Sequence, residues 1–519
     1  MLLGFEEERF VKRTTDTAKL GLIDSSVGDS SSATTPSSIG GTGEEFTSRS
    51  YFGRINYAFD SRYLFEVNMR YDGSSRFAPD NRWGLFPSFS AGWRISEEKF
   101  MKGLPIDNLK LRASWGKLGN NAIGNYEWQA VYNSAKYAFG GSLNNGLAIT
   151  SISNNLLEWE STAITNIGID FATLRNRLTF EAEFYNKVTD GILYRPDMYM
   201  SLGTASGPRQ NIAEVTNRGI EMTLNWQDRI GKVEYRVSGN FAYNQNKVSK
   251  YKGELQRGWV TDENGNRVYQ TNIGDVSTGG STRVIEGKMI NEYYMLQPYK
   301  GSGNGFNADG TVNINGGPRD GMIRTVDDMK WLNAMVGAGY KFYPRQNVSK
   351  SGIWYGDYIY ADLNGDGVYG NDADNEFQGC SNVPKYNFGL QASANWKGFD
   401  FSMNWSGAAG FKIYYYRLAL NSSATIKGYA IGEAIANDHY FFDPKNPNDP
   451  RTNLSSKNPR LTNNSGNDQS GMTQSSVHLQ KGDYIKLKNL TIGYTLPAVL
   501  SKKVYAQNIL SLIHISEPT

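Results

Sequence analysis

Along most of this chain, apolar and polar side chains alternate with a period of two. In RYLFEVNMRYDG, Tyr63, Phe65, Val67, Met69 and Tyr71 fall on one side, and Leu64, Glu66, Asn68, Arg70 and Asp72 on the other. Successive side chains of an extended chain point to opposite faces, so this segment is predicted to be a strand with one apolar and one mostly polar face. The same alternation runs through SYFGRINYAF, RLTFEAEF, GIEMTLNW, VEYRVSGNFAYN, YNFGLQASANW and FDFSMNW. It is weaker in GLFPSFSAGWRI, LKLRASWGKLG and AITNIGIDF. With the opening segment and YIKLKNLTIGYTL, about twelve strands are predicted, and a thirteenth begins near Val504. Many run about 9–13 residues, whereas soluble strands average about 5–6 and a tilted membrane strand needs about 9–11.

The connections alternate in length. Residues 11–49, 73–83, 119–162, 189–217, 247–384 and 412–483 are long or open, while 60–62, 96–108, 174–177, 228–231, 397–398 and 497–502 are short. An up-and-down sheet with its long loops at one end has this rhythm, as outer-membrane barrels do. A Greek-key sandwich has no reason to sort its loops so. The expected fold is all-β: an antiparallel up-and-down transmembrane β-barrel, incomplete, with twelve to thirteen strands and long extracellular loops. Phe65, Val67, Met69, Met222, Leu224, Phe401 and Met403 are expected to face lipid, and Glu66, Asn68, Arg70, Glu221 and Asp400 the lumen or its rims. Trp83, Trp93, Trp115, Trp128, Trp159, Trp226, Trp396 and Trp405 are expected in interface girdles for the most part, and as sugar-stacking platforms where they lie in outer loops. Thr325 and Asp328 bracket a capping box that opens a short helix in the longest loop.

Composition narrows the class. The 519 residues carry 54 Lys and Arg against 51 Asp and Glu, a net charge of +3. That lacks the basic excess of a nucleic-acid binder, so no nucleic-acid partner is expected. Aromatics make up 13%, which excludes general disorder. A lone cysteine, Cys380, excludes a disulfide framework, and His439, His478 and His514 lie in unrelated contexts. No apolar run reaches the 18 or so residues of a membrane helix.

Candidate chemistry is sparse. Asp362, Asn364 and Asp366, followed by Gly367, match the start of a calcium loop, in which alternate oxygens wrap a hard cation. Val368 supplies the carbonyl position. The twelfth position is Ala373 rather than Glu, and Asp372 and Asp374 beside it could substitute. A structural Ca²⁺ and an Asx-rich polar turn both remain open for this loop. Glu181 and Glu183 share one strand face, roughly 6.6 Å apart along the chain. They read either as a glycosidase pair or as a lumen wall neutralised by neighbouring Arg or Lys, and the wall is favoured because no catalytic context accompanies them. Gly301, Gly303 and Gly305 lack the features of a phosphate-binding loop and read as a flexible segment. Tyr293, Tyr294, Tyr414, Tyr415 and Tyr416, in the two largest loops, suit stacking on sugars or peptide planes and contact with a lid protein. No catalytic or cofactor-binding residue is expected.

The run SYFGRINYAFDSRYLFEVNMRYDGSSRFAPDNRWGLFPSFSAGWRISEE (50–98) resembles the SusC/RagA family of TonB-linked (TonB-dependent) outer-membrane transporters of Bacteroidetes. LKLRASWGKLGN, VTNRGIEMTLNW, YADLNGDG and YIKLKNLTIGYTLP resemble further blocks of that family, in family order. The resemblance implies a barrel of the TonB-dependent receptor type, located in the outer membrane and acting in nutrient uptake. It implies active import of oligosaccharides or peptides, energised through the TonB complex and assisted by a SusD-like surface lipoprotein. It implies no enzyme activity. The expected layout is a partial barrel over 1–509, a fragment whose plug, TonB box, first strands and closing strand lie outside the chain. LSLIHISEPT, residues 510–519, reads as a translated sequencing-library adapter and is expected to be a tail without specific packing. The alternative reading is a surface glycan-binding β-protein that does not transport.

Overall fold

The computed structural model describes residues 1–22, 33–194, 208–251, 256–261, 267–272, 282–283, 286–343, 345, 347–414, 432–461, 475–507 and 509–516. The chain forms two compact units. One comprises Met1–Gly253, Leu390–Asn404 and Asn489–Ile515, the other Glu254–Gly389, Trp405–Lys488 and Ser516–Thr519.

Thirteen strands make one sheet, and their order across it is their order along the chain. They are β1 (Leu2–Leu22), β2 (Ala33–Phe59), β3 (Tyr63–Ser74), β4 (Trp83–Arg94), β5 (Ile106–Asn120), β6 (Glu160–Thr173) and β7 (Leu178–Tyr194). There follow β8 (Gln210–Ile230), β9 (Val233–Tyr251), β10 (Tyr386–Trp396), β11 (Phe399–Ala409), β12 (Tyr484–Thr495) and β13 (Leu510–Ser516). From β1 to β9 each strand pairs antiparallel with the next. This is the meander that the connection lengths predict. Among the described residues, β1 and β13 are its two end strands and do not pair with each other.

The register lines up the apolar positions. Tyr57, Phe65, Ala91, Ala113, Ile167, Phe184, Ile220 and Tyr243 form one lateral row across β2 to β9. One residue along, Asn56, Glu66, Ser90, Ser114, Asn166, Tyr185, Gly219 and Asn244 form a polar row on the opposite face. The apolar row is the open one: Phe65, Ile167, Phe184 and Ile220 are all exposed. A water-soluble sheet buries its apolar face against a second layer, so this inverted arrangement marks a surface meant for lipid.

Aromatic side chains bound that surface. Tyr63 stacks on Trp93 and neighbours Phe59 at the short-connection end, where Trp396, Phe399 and Tyr494 form a second group. At the other end of β3 and β4, Trp83 stacks on Tyr71 and Tyr51. Tyr63 to Tyr71 spans nine residues and Trp83 to Trp93 eleven, the length of a tilted bilayer strand at about 9–11 residues. The tight turns use left-handed backbone: Asp60 and Ser61 between β2 and β3, Lys397 and Gly398 between β10 and β11. Paired left-handed residues match the twist of the flanking strands.

Four expectations need correction. The stretch 11–49, read as a loop, is largely strand. β2 has 27 residues, about 90 Å at about 3.3 Å per residue, far beyond a hydrocarbon core of about 30 Å. Its outer part is Thr, Ser and Gly, which carry no apolar alternation but pair as well as any backbone. The connection 119–162 likewise contains a hairpin, Val131–Phe139 with Ser142–Ser151. The thirteenth strand does not begin near Val504, where Lys502–Val504 is a 3-10 turn. Leu510–Ser516 forms it instead, so that segment is a sheet strand and not an unpacked tail. Finally, Trp159 and Trp128 are not girdle residues: Trp159 packs on Phe77 and Phe86 and donates to the Arg82 carbonyl at 3.0 Å, and Trp128 lies between β5 and the 131–151 hairpin.

Met69 lies opposite Gly53 and Pro87 on the exposed apolar face. In a full-length barrel refolded into lipid vesicles, Met69→Arg is expected to cost about 2–4 kcal/mol near the bilayer midplane. Glu66→Leu, on the polar face, is expected to cost less. Denaturant titration of both variants gives the comparison, and the reverse order would mean that the faces are assigned the wrong way round.

Candidate functional site

The polar face of the sheet is a wall of paired charges. Arg112 on β5 sits between two acids, donating from Nε to Asp170 at 3.0 Å and from its terminal nitrogen to Glu183. Lys110 Nζ lies 3.6 Å from the other Asp170 oxygen. A recess of about 460 Å³ opens here, bordered by Glu66, Ser90, Lys110, Arg112, Ser114 and Asn166. Glu183 is therefore held by an arginine two strands away in the sheet, as a neutralised wall requires. Glu181 lies across from Asp170 and Thr223.

The connections between β9 and β10 and between β11 and β12 fold in a different way. They share a buried core containing Tyr299, Met322, Ile323, Trp331, Phe342, Tyr360 and Tyr440. Helix α1 (Val326–Gly337) begins with the expected capping box: Thr325 Oγ1 accepts from the Asp328 N–H at 3.1 Å, and Asp328 accepts from the Thr325 N–H at 2.9 Å. Its Trp331 stacks on Tyr299 and donates to the Asn313 carbonyl at 2.8 Å. Gly317, at φ +71°, lets the chain pass over that indole, where a Cβ would fall 2.4 Å from the ring. The Gly301–Gly305 stretch, expected to be flexible, is instead pinned by backbone bonds: Gly301 N–H to Pro318, Ser302 to Asn315 and Gly303 to Gly317.

Arginines bind the two connections together. Arg460 makes a two-pronged pair with Asp357 at 2.8 and 3.0 Å, and Asp357 is fully buried. Arg324 donates to the carbonyls of Leu454 and Ser456 at 2.6 and 2.8 Å, while Tyr440 donates to the Arg324 carbonyl at 2.6 Å. Tyr358 donates to the Lys457 carbonyl, and burial pushes its hydroxyl up to about 12, so it remains a donor at any physiological pH. Sequence reading missed these residues. The signal was the isolated acid in IWYGDYIYAD, because a lone carboxylate among aromatics needs a buried partner.

The acidic loop uses its oxygens on its own backbone. Asp362 accepts from the Gly365 and Gly367 N–H groups at 2.7 and 2.9 Å, and Asp366 accepts from the Val368 N–H at 2.8 Å. The amides of Asn364 and Asn371 point their N–H at the other Asp366 oxygen. Asp374 is buried and accepts from Leu363, Gly370 and Asn371. Asp372 opens a 3-10 turn capped by Asn371, and Val368 pairs with Lys341 in a two-residue parallel bridge. Among the described residues, no three His, Cys, Asp or Glu side chains are grouped to hold a metal ion. The arrangement is a set of backbone caps.

The tyrosines divide. Tyr293 is buried, donating to the Lys412 carbonyl and accepting from the Tyr414 N–H, both at 3.2 Å. Its ring is structural and presents no stacking face. Tyr294 packs on Phe377, and Tyr414 meets His478 edge to face. Tyr415 and Tyr416 lie outside the described residues.

A long antiparallel meander, apolar outside between aromatic bands and ion-paired on the other face, is a segment of an outer-membrane β-barrel. The chain belongs to the family described as TonB dependent receptor-like, beta-barrel, which matches residues 9–509. It is 31% identical over 477 residues to TonB-dependent receptor P39 of Formosa agariphila, covering 87% of this chain and 40% of that protein. It is 28% identical over 467 residues to TonB-dependent receptor SusC of Bacteroides thetaiotaomicron, covering 88% and 38%. The fold is similar to the RagAB peptide importer in its open-open state, with a TM-score of 0.70 at 19% identity over 99% of this chain and 49% of that one. The chain thus spans about 40% of the length of these curated relatives. Both are named as receptors.

Two outcomes follow for the folded connections. Arg460→Met leaves Asp357 as an uncompensated buried charge and is expected to destabilise this unit by about 3–5 kcal/mol, read as faster hydrogen exchange over 353–360 and 432–461 in the full-length protein. Burial pushes Asp374 up to about 6 against the three N–H donors that pull it down. A raised carboxyl favours its protonated form in the folded state. Its contribution is therefore fully present below about pH 4 and is lost as pH rises toward 6, on the order of 3 kcal/mol for about two units. Thermal unfolding of this unit across that window is expected to show the loss, and Asp374→Asn to flatten it.

Proposed function

We propose that this chain is the barrel part of a SusC-like transporter that imports oligosaccharides or peptides across the outer membrane, energised through TonB. The observation that carries the reading is the family match over 9–509. The inverted sheet, exposed and apolar on one face and ion-paired on the other, supports it. The similarity to the RagAB peptide importer supports the fold. A SusD-like lipoprotein is the proposed partner. Its proposed seat is the ordered surface of the connections after β9 and β11, because a docking lid needs a preformed platform rather than loose loops.

The experiment is genetic. A strain lacking the full-length gene is offered fluorescently labelled oligosaccharide and peptide pools, and uptake is compared with the parent. Loss of uptake of one pool, restored by the intact gene but not by a copy without its TonB box, is the expected outcome. Unchanged uptake of every pool, with labelled glycan still bound at the surface through this protein, would establish the non-transporting alternative.

A further inference from the structure

The short connections of the sheet carry a charge bias that the rest of the chain lacks. Between β2 and β3, β4 and β5, β6 and β7, β8 and β9, β10 and β11, and β12 and β13 there are nine Lys or Arg against three Asp or Glu. The whole chain has 54 against 51, so the cationic excess is concentrated at one rim. All three acids there are already engaged by arginines: Asp60 and Glu98 by Arg62, and Glu97 by Arg94 at 2.8 Å. Among the described residues, Lys99, Lys102, Lys502 and Lys503 take part in no ion pair.

Two of these connections also expose apolar side chains beside their lysines. In the 95–105 turn, Phe100 is 66% exposed and Leu104 51%. In the 496–509 turn, Val499 is 74% exposed and Tyr505 fully so. In water, such residues in a turn give up hydrophobic burial for nothing. Both turns join strands at the end where Tyr63, Trp93, Trp396 and Tyr494 form the aromatic band, at the edge of the lipid-facing surface. Apolar tips flanked by lysines are the chemistry of a segment lying in a headgroup layer, with the tips below the phosphates and the ammonium groups among them.

We propose that the short-connection rim is a binding collar for a phospholipid leaflet with anionic headgroups. Phe100, Leu104, Val499 and Tyr505 insert, and Lys99, Lys102, Lys502 and Lys503 hold the phosphates. The collar fixes the depth of the barrel on that side and selects anionic lipid from the surrounding bilayer.

The test uses the full-length transporter in nanodiscs of phosphatidylcholine with a minority of phosphatidylglycerol. Lipids retained after detergent extraction are counted by native mass spectrometry. Phosphatidylglycerol is expected to be enriched at least about fivefold over its share, the size of one interfacial lysine. The enrichment is expected to fall in high salt and to disappear when Lys99, Lys102, Lys502 and Lys503 are all changed to Ser. Enrichment that the four changes leave intact, or none in the parent protein, overturns the proposal. A second measurement does not rely on the quadruple variant folding. Phe100→Trp should be quenched by phosphatidylcholine brominated near the headgroup, and a Trp at 100 quenched only by aqueous iodide would place the turn in water and defeat the insertion.

Discussion

Inside a bilayer no water is available to a free N–H or C=O, so every backbone polar group must find its partner within the protein. In this chain that partner is the next strand. The pairing of each strand with its chain neighbour leaves side chains to differ only by face. Everything else about the sheet follows from that ladder. Register sets the apolar row opposite apolar rows and the polar row opposite polar rows. The twist of the strands selects left-handed turns at Asp60 and Lys397. The aromatic bands mark where the ladder leaves hydrocarbon, and beyond them it continues in β1 and β2 with Thr, Ser and Gly, because pairing does not depend on hydrophobicity.

Two solvents have shaped one chain. The sheet shows its apolar face outward and has almost no core of its own. The connections after β9 and β11 obey the opposite rule and bury Trp331, Tyr360 and Tyr440 as a soluble domain would. Several of their polar groups are paired within the fold: Arg460 on Asp357, Arg324 on two carbonyls, Asp374 on three N–H groups. The density of these caps explains how stretches with little regular secondary structure, rich in Gly and Asn, hold a defined shape.

The alternation of Phe65, Val67 and Met69 against Glu66, Asn68 and Arg70 was legible because a two-residue period has one physical cause. The phase of long and short connections made the meander legible for the same reason, and the capping box at Thr325 is a local signal that needs no distant partner. What was hidden depends on distant partners. Nothing near Tyr293 announces that its hydroxyl is taken by the backbone of residues 412 and 414. Nothing near Trp159 says that it turns away from the lipid band onto Phe77. The Asp-rich loop carries the residue types of a cation site, but spacing alone does not say that Asp362, Asp366 and Asp374 cap the backbone of their own loop. Leu510–Ser516 shows the converse: a segment without clean alternation pairs into the sheet, since edge pairing requires only a backbone.

The neighbour-to-neighbour register, which from β1 to β9 shifts only near strand ends, also divides the chain by what kinds of genetic change it can absorb. A single-codon insertion within β3 or β8 would move every later side chain of that strand to the opposite face, placing Glu or Arg in lipid and Phe among the paired charges. Two codons would restore the faces but shift the girdle residues along the strand. In the long connections the same insertions meet no such parity rule. Lineages built on this sheet are therefore free to change length almost entirely at one end of the strands, while the membrane-spanning part evolves by substitution.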